Sequence, residues 1–164
     1  MGKNVGKIFE SRIRADFKNA KTPHYLLRLY DQTSGYASIQ TPCDLTLFAQ
    51  GGYYLLELKS VEGRLNFNSN ITDNQLKSLH AASQVEGVVA GILVWFKNHD
   101  FTCFIPIQEI IKRIEAGYKS VGYTDIETVW HAPLAALKRH KYFTYNADFF
   151  IVQLGEMRRE IWQK

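Results

Sequence analysis

Cysteine is nearly absent: only Cys43 and Cys103 occur in 164 residues. They lie far apart and form no C-x-x-C pair, which removes both a disulfide framework and a cysteine-based structural zinc site. The five histidines are scattered with no i,i+4 pair, which argues against a histidine-rich zinc site as well. No G-x-S-x-G and no phosphate-binding P-loop is present, and those hydrolase classes gain nothing. The start of the chain lacks the basic stretch and apolar core of a signal peptide, and no apolar run approaches membrane-spanning length. Gly2 is followed by glycine at position 6, where a myristoylation motif wants Ser or Thr. Internal repeats, low-complexity tracts and linkers are also missing. These absences lead to the expectation of a single soluble intracellular domain, without a membrane partner.

What is there is an ordinary globular composition, 46% hydrophobic and 22% charged, enough for a genuine core. The net charge is +4 with a pI near 9.0. The basic residues are unevenly spread. Lys3, Lys7, Arg12, Arg14, Lys18, Lys21 and Arg28 face only Glu10 and Asp16 in the first thirty positions. Lys138-Arg139-His140-Lys141 and Arg158-Arg159 add two further clusters. Solvated helix faces explain any one of these residues, and together they tilt modestly toward a polyanionic partner. Lys3, Lys7, Arg14 and Arg28 are the candidates for phosphate contact. The aromatics of the last third could stack on bases, although core packing is their better default.

Periodicity predicts an amphipathic helix over 4–19, with Val5, Ile8, Phe9, Ile13 and Phe17 on one stripe and Glu10 at its edge. Strands are expected at 24–30, 44–49 and 53–59, the last two joined at Gly51-Gly52. Thr72 and Gln75 form a capping-box signature for a helix reaching about Val85. Strands at 88–96 and 101–105 follow, then a helix after Pro106, and finally a strand over 149–154 with a short charged helix behind it. Helices on both faces of a mixed sheet are the simplest way to bury these segments. The fold class is therefore α/β, a mixed central sheet flanked by helices, in one domain. Its core spans about 4–107, and residues 107–164 form a C-terminal extension.

The chemistry concentrates in Pro42-Cys43-Asp44 and, thirteen residues after Asp44, Glu57-Leu58-Lys59. Alternation places Glu57 and Lys59 on one face of their strand. A hairpin centred on Gly51-Gly52 sets Asp44 opposite Lys59 and Thr46 opposite Glu57, so Asp44, Glu57 and Lys59 share a face. Hard cations such as magnesium prefer carboxylate oxygens. Asp44 and Glu57, with the carbonyl of Leu58 and with Glu10 from the first helix, form a candidate ligand set. Lys59 is suited to orienting a water or neutralising charge on phosphorus. Taken alone, the same residues also read as a cross-strand ion pair beside a solvated glutamate.

The pattern Asn4-x-Gly6-x3-Glu10, Pro42-Cys43-Asp44, Glu57-Leu58-Lys59 and Asp73-Asn74-Gln75-Leu76 resembles the RecU-type Holliday junction resolvases of the PD-(D/E)xK nuclease superfamily, including their small phage-encoded members. The resemblance covers about residues 4–97. It implies a restriction-endonuclease-like core and a homodimer that binds four-way junction DNA. Paired nicks would depend on magnesium, with manganese as a substitute, in the cytoplasm of a bacterial host. It implies Asp44, Glu57 and Lys59 as the catalytic core, Glu10 as a further acid, and Gln75 as a residue arranging the site. The long basic stalk of that family has only a short counterpart here, about Leu29 to Gln40, with no Lys or Arg. The alternatives are another branched-DNA or flap endonuclease of the superfamily, a catalytically inactive DNA-binding module, or a protein unrelated to nucleic acid.

Overall fold

The computed structural model describes residues 2–34, 37–139 and 142–163. It opens with α1 (Gly2–Lys18), whose Phe9, Ile13 and Phe17 recur at helical spacing and are buried. Next come β1 (His24–Arg28), the short antiparallel pair β2 (Gln32–Ser34) and β3 (Ala37–Ile39), β4 (Leu45–Ala49) and β5 (Gly52–Val61). Then β6 (Arg64–Asn66) leads through a single-turn α2 (Phe67–Asn70) to α3 (Asp73–Ser83). After it, β7 (Val88–Phe96) and β8 (Phe101–Pro106) are followed by α4 (Ile107–Glu115), for which Pro106 sits at the N-cap. The rest comprises β9 (Ser120–Gly122), β10 (Ala132–Pro133), β11 (Ala136–Arg139), β12 (Tyr142–Tyr145) and α5 (Ala147–Trp162).

Six strands make the central sheet, in the order β1-β4-β5-β7-β8-β10. Only β5 and β7 run parallel, and the crossover between them carries α3. Residues alternate across the sheet. Leu45, Leu47, Tyr54, Leu56, Val89 and Leu93 pack under α1 and α5 on one face. Leu55, Ala90, Ile92, Val94 and Ile105 pack against Leu79 of α3 and Ile107 and Ile110 of α4 on the other. The α/β class, with helices on both faces of a mixed sheet, is the architecture observed.

Two local expectations are corrected. The hairpin does not turn at Gly51-Gly52: Ala49 pairs with Gly52, and the turn is Gln50-Gly51, both at positive φ (52° and 70°). The cause is tertiary. A Cβ at position 52 would meet the Arg158 side chain of α5 at 2.3 Å, so the second glycine is used inside the strand where that arginine crosses. Arg158 also donates to the carbonyl of Gln50 at 3.1 Å. The second correction concerns 149–154, which is the middle of α5 rather than a strand. Phe150, Ile151, Leu154 and Met157 are buried at helical spacing while Phe149 and Val152 face out, and Asn146 caps the first turn by accepting from the N–H of Phe149.

Candidate active site

The observed register puts Leu45 opposite Leu56, so Asp44, one step before β4, comes level with Glu57 rather than Lys59. The shift from the expected pairing is two positions. An even shift leaves every side chain on its face, and Asp44, Glu57 and Lys59 still converge. The Asp44 carboxylate accepts the N–H of Leu58 at 2.8 Å, while its carbonyl accepts the N–H of Leu29 at 2.9 Å. The loop before β4 is thereby tied to both β5 and the end of β1.

Glu57 is 4% exposed, in the middle of the sheet. Its Oε1 takes the Lys59 ammonium at 2.8 Å and the Gln75 amide N–H at 2.6 Å. Lys59 also donates to Gln75 Oε1 at 3.3 Å. Gln75 has a second duty as the N3 residue of α3: its Oε1 accepts the N–H of Thr72 at 3.0 Å, and Thr72 Oγ1 accepts the N–H of Gln75 at 3.2 Å. The capping box that begins α3 is thus the clamp that orients Glu57 and Lys59.

Electrostatics follow from burial. Desolvation, then the neighbouring Asp44 charge, push Glu57 up to about 7, against the pull of Lys59. Desolvation also raises Asp44, opposed first by the Leu58 N–H and then by Lys59 and Arg28. A buried carboxylate and a half-buried one thus lie side by side with one ammonium, which is paired to Glu57, a deficit of positive charge that a divalent cation would offset. Among the described residues no hydrogen bond engages Glu57 Oε2 or Asp44 Oδ1. Such a donor set fits magnesium, which is commonly held by one or two carboxylates together with waters and substrate phosphate.

Glu10 does not join them. It forms an ion pair with Arg28 through both carboxylate oxygens, and among the described residues no group of three or more His, Cys, Asp or Glu side chains could hold a metal ion. Of the three acids expected to meet, Asp44 and Glu57 come together and Glu10 does not. Arg28, half-buried, is occupied by Glu10 and lies over the Tyr30 ring at 4.5 Å, so it supports the Asp44 side of the site rather than offering a free cation. Lys7 and Arg14 are exposed on α1. The side chain of Lys3 lies outside the described residues, as do His140 and Lys141 of the basic cluster.

One acid went unnoticed in the sequence. Asp31, just past β1, adds negative charge that raises both Asp44 and Glu57. It accepts from the N–H and hydroxyl of Thr41 at 2.8 and 3.0 Å, closing the base of the β2–β3 excursion. A lone aspartate in a polar loop carries no motif by which it could have been found.

No family model and no curated protein matches the chain. Among solved structures, the fold is similar to Hjc, a Holliday junction resolvase from the archaeal hyperthermophile Archaeoglobus fulgidus. The match has 17% identity and a TM-score of 0.47, over 63% of this chain and 78% of that one. It is also similar to D212, a nuclease from a fusselovirus, with 15% identity and a TM-score of 0.39 over 97% and 89% of the two chains. No helix among the described residues is long and apolar enough to cross a membrane.

Proposed function

We propose that this chain is a magnesium-dependent, structure-selective DNA endonuclease that resolves Holliday junctions by paired symmetric nicks as a homodimer. The observation that carries the reading is the one-face convergence of Asp44, Glu57 and Lys59 with Gln75 bonded to the last two. Asp44 and Glu57 would hold the cation, which when bound polarises the phosphodiester and lowers the pKa of a coordinated water. Lys59 would orient the attacking water and neutralise charge developing on phosphorus. Gln75 fixes the ammonium and the carboxylate relative to each other. Hydrolysis leaves 5′-phosphate and 3′-hydroxyl ends. A two-fold dimer supplies two equivalent sites for a pseudo-symmetric junction.

The test is cleavage of a synthetic four-way junction with and without magnesium, alongside Asp44→Asn. Wild type is expected to cut only with the metal, and the variant to lose at least about 100-fold in rate, more than the loss typical of residues that merely support metal ligands. Undiminished cutting by Asp44→Asn would end the proposal. A second reading, a flap or other branched-DNA endonuclease, is favoured by the short β2–β3 excursion, which lacks the basic residues of a junction-entering stalk. Equal rates on a four-way junction, a Y-structure and a linear duplex would count against resolvase activity.

A further inference from the structure

The two edges of the central sheet are guarded differently. On one side the sheet ends in β10, which is two residues long and includes Pro133, a residue with no N–H to offer. On the other it ends in β1, five residues whose one-to-one pairing with β4 is interrupted by neither proline nor bulge. An edge of that kind is a template for a further strand. The register tells which backbone groups it presents. The N–H of Leu29 donates to the carbonyl of Asp44, which continues the antiparallel ladder of β1 with β4, so Tyr25, Leu27 and Leu29 turn their backbone groups toward β4. His24, Leu26 and Arg28 turn theirs outward, and no hydrogen bond among the described residues engages them.

The two sides of this edge differ in chemistry. On the α1 side, a groove of about 490 Å³ runs between α1 and β1, lined by Arg14, Lys18, His24 and Leu26, among others, and no acid lines it. Arg14 and Lys18 are exposed, one helical turn apart. The acids of the neighbouring elements are engaged elsewhere: Glu10 by Arg28, Asp16 by the N–H of Tyr145, and Asp148 by the N–H groups of Lys21 and Thr22. On the opposite side of the strand stand Tyr25 and Leu27, 66% and 45% exposed. Residues opposed across a ladder share a face. A strand added at β1 therefore meets cations with every second side chain and apolar surface with the others.

We infer that the β1 edge is a docking site for an extended segment of a partner protein, added as a further strand, whose side chains alternate between acidic and apolar. The outward N–H and C=O groups of His24, Leu26 and Arg28 supply the main-chain bonds of such an addition, and the two sides of the strand supply its selectivity. Acidic side chains turned toward α1 meet Arg14 and Lys18. Apolar ones turned the other way cover Tyr25 and Leu27. Nucleic acid fits this edge less well, because phosphate oxygens only accept hydrogen bonds and would face the outward carbonyls without a donor. A second copy of this chain also fits less well, since two-fold pairing of two β1 edges would bring Arg14 and Lys18 of each copy toward their own counterparts. The inference goes beyond the nuclease reading and does not depend on it.

The test is fluorescence anisotropy of the full chain with a labelled peptide of about ten residues in which Glu and Val alternate. Wild type is expected to bind it. It is expected to bind neither the same peptide with Lys in place of Glu nor one of equal composition with the glutamates and valines in two blocks. N-methylation of every second residue should abolish binding for one of the two alternating sets and spare it for the other, the mark of a strand bonded along one edge. That measurement leaves the protein unaltered. Arg14→Ala with Lys18→Ala should weaken the peptide by about 2-fold to 30-fold, the worth of two exposed ion pairs, with the thermal midpoint unchanged. The inference is overturned if wild type does not bind the alternating peptide, if it binds the Lys peptide equally well, or if both N-methylated sets bind like the parent. It is overturned as well if the double variant weakens a blunt DNA duplex and leaves the peptide as it was, since the groove would then serve nucleic acid. A dimer in sedimentation that Leu27→Lys converts to monomer would also overturn it, because a second copy would then hold the edge.

Discussion

At the scale of the residue, Gln75 joins folding to chemistry. One side chain closes the N-terminus of α3 and holds Glu57 and Lys59 in their mutual geometry. Gln75→Ala should therefore act on two measurements at once. Chemical denaturation should show a loss of about 1 kcal/mol, the ordinary worth of a helix cap. Junction cleavage should fall by about 10-fold to 100-fold, as for other residues that orient metal ligands. A purely structural cap would lower stability and leave turnover of the folded fraction intact, so the two readouts separate the roles. Gln75 could be picked out from sequence because its spacing from Thr72 is a helix-start signature. Its reach to Glu57 could not, because that contact crosses eighteen positions and depends on where α3 lies over the sheet.

At the scale of the element, α5 and the β4–β5 hairpin show how packing overrides local pattern. Phe149 to Leu154 is an apolar run short enough to read as a strand, and only its burial pattern reveals the helical period. That pattern makes a prediction. Leu154→Ala, in the core beneath the sheet, should cost about 2–5 kcal/mol in urea unfolding. Phe149→Ala, 46% exposed, should cost less than about 1 kcal/mol. A strand with alternating faces would instead bury Phe150, Val152 and Leu154 together, so that Val152→Ala rather than Ile151→Ala would be the costly change. The hairpin shows the same override at a turn: two adjacent glycines identify the turn but do not say which of them lies inside it. Arg158, a hundred positions further on, makes that choice by occupying the space over Gly52. The three-residue cluster survived the misplacement only because the shift was even.

At the scale of the whole molecule, Asp148 ties the two ends of the chain together. From the first turn of α5 its Oδ1 accepts the N–H of Lys21 at 2.8 Å, the N–H of Thr22 at 2.6 Å and the Thr22 hydroxyl at 2.7 Å. Those bonds, the Thr22 N–H foremost, hold its carboxyl below the usual carboxylate range. A depressed acid favours the folded state above its unfolded value, about 3.9, and that contribution is lost as pH falls through the folded value below it. Asp148→Asn should accordingly be less stable than wild type at neutral pH. The gap should close as unfolding is measured below about pH 4, where the unfolded wild-type carboxylate takes up its proton first and the folded one follows at its lowered value. A gap that stays constant across that range would show that the amide loses something other than charge-assisted bonding.

Spacing and alternation alone determined the α/β class, the hairpin, the capped helix and the common face of Asp44, Glu57 and Lys59, because each depends on contacts between near neighbours in the chain. Tertiary structure decided the rest. It drew Glu10 away from the other acids, since Arg28 on the adjacent strand offers a closer opposite charge. It brought Asp31 within electrostatic range of the site. It also left β1 and β4 uncovered on the side away from α1, so that Tyr25, Phe48 and Tyr53 line up in the open. Which faces of a sheet stay bare depends on where its helices come to rest, a global packing outcome that no local pattern of residues encodes.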